Sequence, residues 1–205
     1  MNITEQRGHV DFGPLPGVDA IVIGASAGGV EALIKIFSLL GAGFRLPIIA
    51  VLHLPDERRS RLAQVFQQRL PIPVKEADDK ESIVAGTLYF AAPSYHLSVE
   101  KDFSLSLSLE DRVHYSRPSI DILFESAADA YGSRLAGILL TGANEDGARG
   151  LAAIKQHGGL SVIQDPNEAH VPIMPEAART LRAPDLILPL SDIGQLLVEL
   201  ERTHA

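Results

Sequence analysis

Three residue types that together can attack a carbonyl group stand just beyond apolar runs in this chain: Ser26, His53 and Asp146. A serine hydroxyl is a poor nucleophile until a base removes its proton, and an imidazole serves best when a carboxylate fixes its tautomer. Such a trio cleaves esters or amides by acyl transfer. Ser26 lies in Gly24-Ala25-Ser26-Ala27-Gly28-Gly29, small residues that permit the sharp strand-to-helix turn of a nucleophile elbow. The same stretch also reads as a loop whose amides cradle a phosphate at a helix start. Against a dinucleotide, it lacks the third glycine of Gly-x-Gly-x-x-Gly, and the second apolar run ends in His53 where a ribose-binding acid would be wanted. Taken alone, the turn leaves nucleophile, anion loop and tight packing all open. Plainer readings of the other two are a satisfied histidine for His53 and the N-cap of a helix starting at Gly147 for Asp146.

For these residues to meet, the elements before them must end on one edge of a sheet. From Ala20 onward, short runs of Val, Ile and Leu alternate with longer amphipathic stretches, the pattern of βαβ units around a buried parallel sheet. Strands are predicted near Ala20–Ile23, Ile48–Leu52, Leu88–Ala91, Leu135–Leu140, Leu160–Ile163 and Leu186–Leu188. Helices are predicted near Gly29–Leu40, Arg61–Arg69, Ile120–Tyr131, Gly147–His157, Glu176–Leu181 and Ile193–Glu201. Ligands of open α/β sheets gather at the carboxyl ends of the strands. The segments there are Gly24 to Gly29, His53-Leu54-Pro55, Ala92 to His96 and Thr141 to Gly147, which put serine, histidine and aspartate on one rim. One segment departs from the pattern. Phe103, Leu105, Leu107 and Leu109 alternate with Ser104, Ser106 and Ser108, predicting a half-exposed antiparallel strand paired with Leu97–Val99 as a hairpin.

At 205 residues the chain can bury one sizeable core, but not two ordinary domains and a linker. Residues 1–18 are predicted to be a flexible lead-in and 19–205 a single layered α/β unit. The net charge of −8 without a basic stripe excludes nucleic acid and anionic membrane as partners, since both are bound by clustered Lys and Arg. Without cysteine there is no disulfide framework and no thiolate chemistry, which fits the reducing cytoplasm. The seven histidines have no metal-ligand spacing, so neither metal nor cofactor is expected. The first 18 residues hold Glu5, Arg7, Asp11 and two prolines but no apolar run, so they predict neither a secretory signal nor a membrane span.

Six blocks recur in a fixed order: Ile23 to Gly29; His53-Leu54-Pro55; Ala92-Pro93 with His96-Leu97; Arg117 to Phe124; Leu140-Thr141-Gly142 through Asp146-Gly147-Ala148; and Gln164-Asp165-Pro166 leading to Met174-Pro175. Together they resemble the catalytic domain of the chemotaxis protein-glutamate methylesterases, from about Asp19 to the C-terminus. The resemblance implies a modified doubly wound, mostly parallel α/β sheet and a triad with Ser26 as nucleophile, His53 as general base and Asp146 as the orienting acid. It further implies hydrolysis of glutamyl methyl esters, and deamidation of some glutamines, on methyl-accepting receptors or another methylated signalling protein. Backbone amides at Ala27 and around Ala143 would form the oxyanion hole, because amides survive side-chain replacement. His96, Arg117 and Met174 fall in matched blocks and are expected to border the cleft. Arg117 would meet acidic receptor residues or orient a loop, His96 begins the hairpin and reads more readily as a structural residue, and Met174 would pack near the site or fill core space.

Departures from the family pattern bear on substrate shape and rate. The turn commonly carries threonine where Ala27 stands, Gly-Met-Gly is here Gly142-Ala143-Asn144, and Gly-Met-Pro is here Ile173-Met174-Pro175. Relatives of this kind place a phosphorylatable receiver domain ahead of the catalytic one, whereas about 18 residues precede it here. A constitutive enzyme, or one controlled by a separate receiver protein, is the expectation. Two other readings stand beside it: a signalling scaffold with little or no hydrolysis, and an esterase or deamidase acting outside chemotaxis.

Overall fold

The computed structural model describes residues 10–53 and 61–204. Regular structure begins with β1 (Ala20–Ala25), all of whose residues are buried. The strands that follow are β2 (Ile48–Leu52), β3 (Val74–Glu76), β4 (Leu88–Phe90), β5 (His96–Val99), β6 (Leu105–Ser108), β7 (Leu135–Leu139), β8 (Leu160–Gln164) and β9 (Leu186–Leu188). The helices are α1 (Gly29–Phe37), α2 (Leu62–Gln67), α3 (Ile120–Tyr131), α4 (Ala148–Gln156), α5 (Ile173–Leu181) and α6 (Leu190–Thr203). Seven strands make one sheet in the order β3-β4-β2-β1-β7-β8-β9, every neighbouring pair of which is parallel. β5 and β6 form a separate antiparallel hairpin.

A strand covered on both faces reads as an unbroken apolar run, and alternation decides only which core each side chain enters. Ile21, Ile23 and Ala25 enter one core with Leu33, Ile36 and Phe37 of α1 and Ile193, Leu197 and Leu200 of α6. Ala20 and Val22 enter the other with Ile120 and Phe124 of α3, Leu151 and Ile154 of α4, and Leu97 and Leu105 of the hairpin. Helices therefore cover both faces of the sheet. From β1 the chain first builds β2, β3 and β4 to one side, then crosses back to lay β7, β8 and β9 on the other. This reversal makes the carboxyl ends of β2, β1 and β7 a crevice between connections that diverge, the usual ligand position in such sheets.

The predicted sheet, its helices and the hairpin are all present, with differences at the ends. β3 was not anticipated, because three half-buried residues, Val74-Lys75-Glu76, on an edge carry no readable periodicity. α5 begins at Ile173 rather than Glu176: Pro175 falls in its first turn, where a missing N–H leaves no helical bond unmade. α6 begins at Leu190 rather than Ile193, its first N–H capped by Glu168 Oε2 at 2.6 Å from a distant loop. Of the expected lead-in, residues 1–9 lie outside the described residues. Phe12 and Leu15 pack on the α1–α6 core and Val18 is buried in it, so the part from Phe12 is held by its apolar side chains rather than running free. Among the described residues, no helix is long and apolar enough to cross a membrane.

Candidate active site

Ser26 is the first residue beyond β1 and His53 the first beyond β2. The register pairs Ala25 with Leu52, and His53 N continues the ladder by donating to Ala25 O at 3.0 Å. Ser26 and His53 thus leave neighbouring strands at the same level, with backbones about 4.8 Å apart. The third residue, Asp146, sits in the loop from β7 to α4, on the other side of β1. The crevice thereby collects residues from three adjacent strand ends.

Asp146 is fully buried, and its carboxylate is the most heavily bonded group in the site. Oδ2 accepts from His53 Nε2 at 2.8 Å and from the Ile120 amide at 2.7 Å. Oδ1 accepts from Ser119 Oγ at 2.8 Å and the Asp121 amide at 3.0 Å. Ile120 and Asp121 open α3, so the carboxylate lies against orphan N–H groups and the positive end of that helix. Burial pushes the Asp146 carboxyl up, but the His53 hydrogen bond, the Asp121 and Ile120 amides and the attraction of His53 outweigh it and hold it below its usual range. An ionised carboxylate has no proton to give, so Nε2 of His53 carries the hydrogen and Nδ1 keeps its lone pair. That is the tautomer a general base requires.

The N-cap reading of Asp146 holds in an altered form. The residue before α4 is Gly147, which makes no side-chain cap, while Asp146 caps α3 across the fold. Gly147 has φ +94°, and a Cβ there would lie 2.6 Å from both Ile120 Cγ2 and Leu139 Cδ1. Gly147→Ala is therefore expected to lower stability by about 2–4 kcal/mol, the sum of left-handed strain and overpacking, read as a reduced urea midpoint. An unchanged midpoint would show that the loop has room to shift.

The turn after β1 is fastened by Thr141, which the sequence reading did not single out. Thr141 O accepts from Ser26 N at 2.9 Å, Thr141 Oγ1 donates to Ala27 O at 2.8 Å and accepts from Val171 N at 2.9 Å, and Thr141 N donates to Gln164 Oε1 at 2.9 Å. Gly28 takes φ +79°, and His170 lies over it, its Cβ 2.8 Å from where a Gly28 side chain would begin. His170 is an exposed residue of the rim that nothing in its local sequence marked. Ser26 Oγ has no hydrogen-bond partner among the described residues, and neither do the amide N–H groups of Ala27 and Ala143. Catalytic hydrogen bonds of this kind commonly tighten only around bound substrate.

The remaining expected residues divide differently. His96 is buried: Nδ1 accepts from Ser119 N at 3.1 Å, so Nε2 donates to Asp111 O at 3.0 Å. Arg117 Nη1 donates to Leu109 O and Glu110 O, both at 2.9 Å, which commits its guanidinium to the loop that His96 also holds. Met174 is buried against Gly142. The His96 and Met174 side chains therefore support the crevice walls from behind, and neither reaches its surface. Leu54 and Pro55 of the second block lie outside the described residues. Among the described residues no three His, Asp or Glu side chains are grouped to hold a metal.

A family model described as CheB methylesterase matches residues 21–197. The chain belongs to the CheB methylesterase family. A Leptospira interrogans protein with the provisional name protein-glutamate methylesterase/protein-glutamine glutaminase is 43% identical over 91% of this chain and 96% of its own length. A Methanospirillum hungatei protein of the same name, without the qualifier, is 39% identical over 88% of this chain, which spans 51% of that longer protein. Among solved structures, the crystal structure of the Thermotoga maritima CheB methylesterase catalytic domain superposes with a TM-score of 0.84 at 31% identity, covering 89% of this chain and 98% of that one. The CheB fold thus provides both the parallel sheet and the hairpin read from the sequence.

Proposed function

We propose that this CheB-family chain removes methyl groups from glutamyl methyl esters on a methyl-accepting signalling receptor in the cytoplasm, and deamidates glutamines presented in the same way. The observation that carries the reading is the 2.8 Å contact between His53 Nε2 and a buried, ionised Asp146, beside Ser26 at the switch point of the sheet. Ser26 Oγ attacks the side-chain carbonyl carbon as its proton passes to His53 Nδ1. The carbonyl oxygen takes the negative charge, which the Ala27 and Ala143 amides stabilise. As the tetrahedral centre collapses, the C–O bond to the methoxy group breaks and His53 returns its proton, releasing methanol. Water then repeats the path on the acyl-enzyme, giving a free glutamate, a proton and the original Ser26 hydroxyl. With glutamine the leaving group is ammonia. The new carboxylate alters charge pairing along the target helix, which is how the reaction would be felt by the receptor.

The test pairs two measurements. Protein incubated with methylated receptor should release methanol, and a serine-directed fluorophosphonate should add its mass to the peptide holding Ser26. An adduct without methanol would keep the serine hydrolase and discard the substrate. Absence of both would leave a scaffold.

A further inference from the structure

We infer that Asp121 is a positioning residue for this reaction, holding Asp146 in place through the backbone that follows it. Its Oδ1 accepts from Gly147 N at 2.9 Å and Gly150 N at 2.8 Å. Gly147 is the residue directly after Asp146. The Asp121 amide in turn donates to Asp146 Oδ1 at 3.0 Å, so two aspartates on different elements cap each other's helix: Asp146 caps α3, and Asp121 caps α4. The ring closes through the Asp146–Gly147 peptide bond on one side and within Asp121 itself on the other. Its effect is that the Asp146 carboxylate is fixed by α3 while the Asp146 main chain is fixed, through Gly147, by a side chain of the same α3.

Such a clamp matters because Asp146 acts by geometry. It must present Oδ2 to His53 Nε2, and a displacement of about 1 Å at a catalytic group can lower turnover by roughly 100-fold. Asp121 itself is fully buried and does not reach the crevice, so it touches no substrate. Its other oxygen, Oδ2, is buried without a hydrogen bond, facing Arg149 Nε at 3.4 Å and His114 Nε2 at 3.5 Å. Burial is the main reason its carboxyl sits above the usual range, with Gly150 and Arg149 opposing and the Asp146 charge adding to the rise. A carboxylate is retained here at an electrostatic disadvantage, and the two amides it gathers are the visible return.

This inference rests on the serine-hydrolase reading, and the experiment separates the two. Asp121→Asn keeps an oxygen acceptor for both amides, Asp121→Ser offers a shorter hydroxyl that cannot span both, and Asp121→Ala offers none. With a nitrophenyl ester as substrate, kcat should fall by no more than about threefold for Asn and about 100-fold for Ser and Ala, with KM unchanged in all three. The rate of fluorophosphonate addition to Ser26 should follow the same order. If the Ala variant does not fold, the Asn and Ser variants still give the ranking. Wild-type kcat in a folded Ser or Ala variant, an Asn variant as slow as Ser, or a change confined to KM would each overturn the assignment. Wild-type protein inert to both ester and phosphonate would overturn the hydrolase reading instead, and this one with it.

Discussion

Ser26→Ala is expected to lower kcat/KM for methyl ester hydrolysis by at least about 10⁴-fold while leaving the fold as stable as before, within about 0.5 kcal/mol. The two halves have separate causes. Oγ makes no hydrogen bond with any described residue, and the turn is held by main-chain contacts that alanine keeps: Ser26 N to Thr141 O at 2.9 Å and Gly29 N to Ser26 O at 2.7 Å. Removing one oxygen therefore takes away the proposed nucleophile without opening a cavity of consequence in a half-buried turn. Residual turnover above the buffer rate would come from the Ala27 and Ala143 amides polarising a bound carbonyl for attack by water. Methanol release and urea denaturation on the same preparation decide the matter. Retained turnover would place the nucleophile elsewhere, and a lost fold would make Ser26 structural.

The contrast between local and distant interactions also explains how far the sequence could be read. The central strands were legible because a parallel strand buried on both faces must be apolar throughout, as Ile21-Val22-Ile23 and Ile48-Ile49-Ala50-Val51 are. Once β1, β2 and β7 were placed, Ser26, His53 and Asp146 fell at their ends without further assumption. Ser119 stands directly before α3 and caps it locally, its Oγ accepting from Ile122 N at 3.5 Å. What no local pattern carried was the second bond of that hydroxyl, to Asp146, 27 residues along the chain. The same holds for Glu168 capping α6 and for Thr141 reaching both Ala27 and Val171. Each joins elements whose relative register is fixed by the packing of helices on the sheet. Aspartate at position 146 could be read as a cap from its own sequence, but which helix it caps is a property of the fold.

Asp146→Asn is expected to damage both activity and stability, which sets it apart from Ser26→Ala. Catalysis should fall by about 10⁴-fold, because an amide in place of the carboxylate no longer fixes the His53 tautomer that leaves Nδ1 basic. Stability should fall by about 1–3 kcal/mol. Both oxygens of Asp146 face backbone donors, Ile120 N on Oδ2 and Asp121 N on Oδ1. Whichever way the asparagine turns, its NH₂ meets an N–H and one buried amide of α3 loses its acceptor. The pH dependence follows from the sign of the shift. The folded-state carboxyl lies below its unfolded value of about 4, so its contribution is complete above that pH and is lost as pH falls through the folded value. Asp121, shifted upward, works in the opposite sense: its contribution is complete below the unfolded value and is lost as pH rises through the folded one. Removing Asp146 should therefore flatten the acid limb of the stability curve and also relieve the like charge beside Asp121. Urea midpoints between about pH 3 and 6 for the two proteins would show it. Parallel curves would mean that the carboxylate is not the group whose protonation loosens the fold in acid. A variant that kept wild-type turnover would remove Asp146 from the proposed triad.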